Sequence, residues 1–100
     1  MLKLTKGVRM AGLDIKMRPV LLAAGMIWDL EGQDLIVTSA LDGEHSPGSL
    51  HYYGLAIDFA VRAFDDDVKR NITFKLREEL GRAYDVINEG DHIHVEWDPR

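Results

Sequence analysis

Two stretches of this chain alternate in character with a period of two residues. In the first, Leu55, Ile57 and Phe59 alternate with Ala56, Asp58 and Ala60. In the second, Ile93, Val95 and Trp97 alternate with His92, His94 and Glu96. A period of two sends alternate side chains to opposite faces of a sheet, so each stretch reads as a strand with one core face. The two apolar trios belong against one shared core. If the strands are neighbours, the opposite faces bring His92 and His94 to the same side as Asp58. The small neighbours of Asp58 leave room around its carboxylate. A carboxylate buried among alanines is costly unless a cation or several donors meet it.

The remaining chain supplies the layers around these strands. Leu2 and Leu4 alternate with Lys3, which fits a short edge strand. Residues 14–18 start a helix with Pro19 in its first turn, where the missing N–H costs nothing. Val20, Leu21, Ala24, Ile27 and Trp28 then recur at helical spacing until Gly32. Leu35 to Ser39 is a β-branched run of strand length, followed by a loop to Leu50 rich in Asp, Gly, Ser and Pro. Asp65, Asp66 and Asp67 suit the start of a second helix. Its Val68, Ile72, Leu76 and Leu80 form one apolar stripe that ends at Gly81. Residues 83–88 and 92–97 form a hairpin across the turn Glu89-Gly90-Asp91. This order predicts a single α+β domain over residues 1–100, with a small, mainly antiparallel sheet and two flanking helices.

Composition narrows the chemistry. A net charge of -5 gives no basic field to hold nucleic acid. With no cysteine, any metal must be held by His, Asp or Glu. The longest apolar run, Val20 to Trp28, is far shorter than the ~20 residues needed to span a bilayer. It follows Lys and Arg as a signal peptide would, but no small-residue cleavage site comes after it. It reads as a core helix, and neither membrane insertion nor an export signal is expected.

His51 stands where the long loop enters the first of the two alternating strands, so it can turn towards Asp58. His51, Asp58 and His94 then make two imidazole donors and a carboxylate. That is the ligand set of a catalytic zinc ion with its fourth position left to water. Spacing alone does not rank His94 over His92, or Asp91 over Glu89 as a neighbouring base. A Glu89-x-x-His92 register stands beside Asp91-x-x-His94. A His-x-His pair can also be a solvated strand face.

The pattern Ser49-x-His51-x-x-Gly54-x-Ala56-x-Asp58, followed by Asp91-x-x-His94, resembles the zinc D-alanyl-D-alanine carboxypeptidase family. That family includes D-Ala-D-Ala dipeptidases and phage L-alanyl-D-glutamate endolysins, and it shares its fold with the hedgehog signalling domain. The resemblance runs from Thr38 to about Trp97 and is strongest to short, phage-type members. It implies a hedgehog/DD-peptidase-like fold and Zn2+ held by His51, Asp58 and His94. It also implies Asp91 as general base and His92 as a stabiliser of the oxyanion. The substrate would be a peptidoglycan stem peptide. The protein would be cytoplasmic on synthesis and would act as a monomer on the cell wall after release, or within a phage particle.

The chain departs from the family after Thr38-Ser39. Members continue with Gly-Tyr-Arg, whose Arg binds a substrate carboxylate, whereas this chain has Ala40-Leu41-Asp42. Arg9, Arg18 and Arg62 are the candidate replacements. Asp42, His45, Ser49 and Tyr53 are expected to line the substrate cleft. The plainer readings are a turn at Asp42-Gly43, a solvated His45 and packing for Tyr53. The alternative function is a zinc-stabilised, non-catalytic binding or structural module, such as a phage virion component.

Overall fold

The structure is a computed structural model that describes residues 1–42 and 49–99. The elements are β1 (Leu2–Leu4), a short 3-10 helix (Ile15–Met17), α1 (Arg18–Leu30) and β2 (Leu35–Ser39), then a 3-10 turn (Leu50–Tyr53). They continue with β3 (Ala56–Ala60), α2 (Asp66–Leu80), β4 (Tyr84–Asn88) and β5 (His92–Trp97). The fold is α+β, with one five-stranded sheet in the order β1-β2-β3-β5-β4.

The expectation of a mainly antiparallel sheet is corrected, because the sheet is mixed. β2, β3, β5 and β4 pair antiparallel, but β1 runs parallel to β2, with Leu2 opposite Leu35 and Leu4 opposite Val37. Parallel neighbours need a crossover connection, and α1 is that crossover. The strand, helix, strand order at the start of the chain therefore carried the signal.

Carboxylates cap the 3-10 helix that leads into α1 and the start of α2, while α1 itself has no side-chain cap at Met17. Asp14 Oδ1 accepts from the Lys16 N–H ahead of α1, and Asp65 accepts from the Val68 N–H at α2. The apolar stripes of the helices meet the sheet face that carries Val37, Ile57, Phe59, Ile93 and Val95, all fully buried. Trp28 of α1 lies at the centre, 5.7 Å from the Phe59 ring and 5.9 Å, edge-on, from the Phe64 ring. Burying one such aliphatic side chain contributes about 1.5–3 kcal/mol, so this face fixes the sheet's orientation. A register slip of one residue in β5 would turn Ile93 and Val95 outward and both histidines inward.

The segment Val20 to Trp28 lies inside α1, with Val20, Ala23, Ala24, Ile27 and Trp28 buried. Among the described residues no helix is long and apolar enough to cross a membrane.

Candidate metal centre

The site forms where β3 and β5 pair. Asp58 faces His94 directly, and Ala60 faces His92 one same-face step along. The predicted parity holds, because Phe59 pairs with Ile93 and Ile57 with Val95 on the core side. His94 Nδ1 lies 2.7 Å from Asp58 Oδ1.

His51 arrives from the 3-10 turn ahead of β3 and is 2% exposed, so its inward turn is complete. Its Nε2 lies 3.3 Å from both Asp58 Oδ1 and His94 Nδ1. Its Nδ1 lies 2.6 Å from the Ala40 carbonyl oxygen. A carbonyl only accepts, so Nδ1 carries a proton there, and Nε2 is the nitrogen left to face the site. His94 is held in the complementary way, with Nε2 2.8 Å from Glu96 Oε1 and Nδ1 facing Asp58. Each imidazole thus has its outer nitrogen fixed by an acceptor and its inner nitrogen turned towards the point where a cation would sit. This is the outer-shell arrangement that orients metal-ligating histidines.

The three inner atoms lie within 4.8 Å of one another, so His51, Asp58 and His94 can hold one metal ion. Two imidazole nitrogens and one carboxylate oxygen, with no thiolate, suit a divalent transition metal such as zinc. Asp85, Glu96 and Asp98 form a second close group that has oxygen donors only and touches the first through Glu96.

Without a metal, protons take its place. Burial of Asp58 opposes its ionisation, but hydrogen bonds from His51 and His94 outweigh it and hold the carboxyl well below the usual range. Burial of His94 disfavours its charged form, but the Asp58 and Glu96 carboxylates on its two nitrogens outweigh that and raise its pKa.

Several backbone features hold His51 in place. The register of β2 against β3 shifts between Val37 and Ser39, so that Ser39 pairs with Asp58. Bulges bend a strand and re-aim the residues beyond them. The residue directly beyond this shift is Ala40, whose carbonyl receives His51. Asp42 Oδ1 accepts from both the Ala40 and Arg9 N–H groups at 2.9 Å, and the Leu41 N–H bonds the Arg9 carbonyl. Asp42 therefore ties the N-terminal segment to the turn that orients His51. Ser49 Oγ accepts from the His51 N–H at 3.3 Å. Gly54 has φ +70°, and a Cβ there would sit 2.5 Å from the Gly12 carbonyl oxygen. That close approach lets the Asp14 N–H reach the Gly54 carbonyl at 2.9 Å.

The remaining predicted residues lie around this centre. Asp91 stands just ahead of β5, where strand alternation does not apply, and its Oδ1 lies 2.6 Å from His92 Nδ1. Asp91 and His92 both line a cleft of about 500 Å³ together with Thr38 and Ala60. His94, and not His92, belongs to the three-residue group. Glu89 instead closes the hairpin, its N–H bonding the His92 carbonyl. The side-chain oxygens of Asp42 and Ser49 accept backbone N–H groups around His51. Tyr53 is 66% exposed, and His45 lies outside the described residues. Sequence reading placed Glu96 on the right face but gave it no role. An acid two residues after a histidine on one strand face was the available signal. The Ala40 carbonyl had none, because a backbone acceptor leaves no trace in residue type.

No protein-family model matches the chain, and no curated protein matches it in sequence.

Proposed function

We propose that this protein is a zinc metallopeptidase that hydrolyses a peptide bond in peptidoglycan stem peptides. The reading rests on the resemblance of its two motifs to zinc carboxypeptidases and endolysins of the cell wall, with a hedgehog/DD-peptidase-like arrangement. The observation that carries it is the convergence of His51, Asp58 and His94, with both imidazoles pre-oriented by Ala40 and Glu96. Zinc bound there would supply an acidified water and a Lewis acid for the carbonyl.

The chain's own groups would do the rest. Asp91, in the cleft wall, accepts a proton from the attacking water and passes it to the leaving amine. His92 holds Asp91 through Nδ1 and offers its other nitrogen to the developing oxyanion. The cleft admits an extended peptide along the sheet face. The enzyme would act on the wall after release from the cell or as part of a phage particle.

Digestion of purified muropeptides, read by mass spectrometry with and without chelator, tests this proposal. Cleavage that chelator abolishes and zinc restores is the expected result. A protein that holds zinc and cleaves no muropeptide would instead be a zinc-stabilised binding module.

A further inference from the structure

Among the described residues, nothing covers an apolar row on the outer side of the helix layer. Leu22, Met26 and Leu30 recur every four residues along α1 and are 74%, 60% and 79% exposed. That spacing sets them in one line on a helix surface. Phe74 of α2, 60% exposed, lines a groove beside this row with Met26, Leu30, Lys75, Glu78 and Glu79. A second groove beside Met26 is lined by Gly25, Asp29, Leu2 and Leu35. The metal centre is on the far side of the sheet. The helices cover the face of Phe59 and Ile93, and Asp58 and His94 project from the opposite one.

Two features of α1 suit a second helix laid against it. Gly25 stands mid-helix, where glycine is less stable than alanine, yet a Cβ there would meet nothing within 4 Å. The chain's own packing leaves room for a side chain, and the bare backbone lets another helix approach closely. The end charges of α1 are also opposite to those its own dipole favours. Arg18 stands in a first turn with no acid, and Asp29 in a last turn with no base. An antiparallel copy of the same helix supplies the missing partner at both ends. Four large apolar side chains exposed to this degree present on the order of 500 Å², at the upper end of what monomers leave bare. Doubled by a two-fold axis and completed by a polar rim, they reach the roughly 1,200 Å² at which stable interfaces begin. The acids of the rim, Asp29, Glu78 and Glu79, disfavour an anionic membrane as the occupant.

We propose that this protein forms a two-fold homodimer in which the α1 helices pack antiparallel, the apolar row of one copy seated in a groove of the other. An axis at the level of Ala24 sets Leu22 against Met26 of the second copy, and Arg18 against Leu30 and Asp29 of the second copy. Ridges seated in grooves are the general mode of helix packing, and a two-fold axis makes each such contact twice. Gly25 lies beside the axis, where the two backbones come closest. Both metal centres stay open, because they lie on the sheet faces turned away from the helices. The inference does not rest on the peptidase reading, and it replaces the monomer that the resemblance implies.

Sedimentation velocity of the purified protein from about 1 to 500 µM, the range that suits an interface of this size, tests the proposal. The wild type should pass from monomer to dimer, equally in chelator and in zinc. Met26→Glu alters an exposed side chain, so it should keep the monomer's melting temperature while weakening the dimer by at least about 100-fold. Arg18→Glu and Asp29→Arg should each weaken it about 10-fold by bringing like charges together, and the double variant should return close to the wild type. Gly25→Ala should stabilise the monomer and weaken the dimer. A wild type that stays monomeric throughout overturns the proposal, and its binding to phosphatidylcholine vesicles or to another protein would then assign the row to that occupant. A dimer indifferent to Met26→Glu uses another surface and overturns it too. So does a dimer that only zinc sustains, which would be bridged at the metal centre. Charge reversals that do not rescue each other overturn the antiparallel arrangement.

Discussion

His94 and Asp58 face each other across β5 and β3, with Nδ1 and Oδ1 2.7 Å apart, while the other nitrogen of His94 meets Glu96 at 2.8 Å. Carboxylate oxygens on both ring nitrogens favour the protonated ring and raise the pKa of His94 in the metal-free protein. A metal at this site must displace the Nδ1 proton and leave Nε2–H donating to Glu96.

The metal-free protein and the zinc form should therefore respond oppositely to pH. Asp58, lowered from 3.8, adds stability that is present above that value and lost as pH falls through its folded pKa. His94, raised from 6.5, adds stability that is present below that value and lost as pH rises through its folded pKa. In chelator, the melting temperature should be highest between about pH 4 and 6.5 and then decline. With excess zinc it should rise over the same upper range, because protons no longer compete for His94. Thermal melts from pH 4 to 9 in both conditions check this. A metal-free curve that climbs from pH 6 to 8 would contradict it.

Glu96→Ala should keep the fold and weaken zinc binding by roughly 10–100-fold, the usual cost of removing an outer partner of a ligating histidine. Competition with a chelating dye measures the change. An unchanged affinity would mean that Glu96 does not orient His94 in the loaded site.

Gly54→Ala should be strongly destabilising. Its φ of +70° disfavours a side chain, and the added Cβ would meet the Gly12 carbonyl oxygen at 2.5 Å. Gly32 has the same φ with nothing within 4 Å, so Gly32→Ala isolates the backbone strain. That strain is about 1–2 kcal/mol. Gly54→Ala should exceed it and lower the melting temperature by more than the roughly 4–8 °C that 1 kcal/mol gives in a domain of this size. Equal losses in the two variants would mean that the Gly12 contact yields without cost.

Asp91→Asn should lower muropeptide cleavage by about 10²–10⁴-fold with zinc retained, the range of general base catalysis. Glu89→Gln, at the hairpin turn, is the matched control and should change little. Loss with Glu89→Gln alone would move the base to that residue. Loss of zinc with Asp91→Asn would make Asp91 structural to the site.

The parts of this site legible in the sequence are those set by period-two alternation. Once Ile93 and Val95 had to pack under Phe59 and Ile57, Asp58 and His94 could only meet on the other face. His51 was placed by its position at the strand's entrance, and burial completed the turn. The parts not legible depend on the backbone. The register shift between Val37 and Ser39 aims the Ala40 carbonyl at His51, and no residue type there announces it. The parallel pairing of β1 rests on only a few residues, so α1 was read as a flanking helix instead of a crossover.

The proposed peptidase function depends on His51, Asp58 and His94 together binding one metal ion. Calorimetric titration of zinc into chelator-stripped protein tests it most directly, with His94→Ala and His92→Ala run beside the wild type. Wild type and His92→Ala should each bind one equivalent, and His94→Ala should bind at least about 100-fold more weakly, having lost a ligand and not merely an outer partner. A wild-type protein that binds no zinc, or a His94→Ala protein that binds as tightly as wild type while His92→Ala does not, would contradict it.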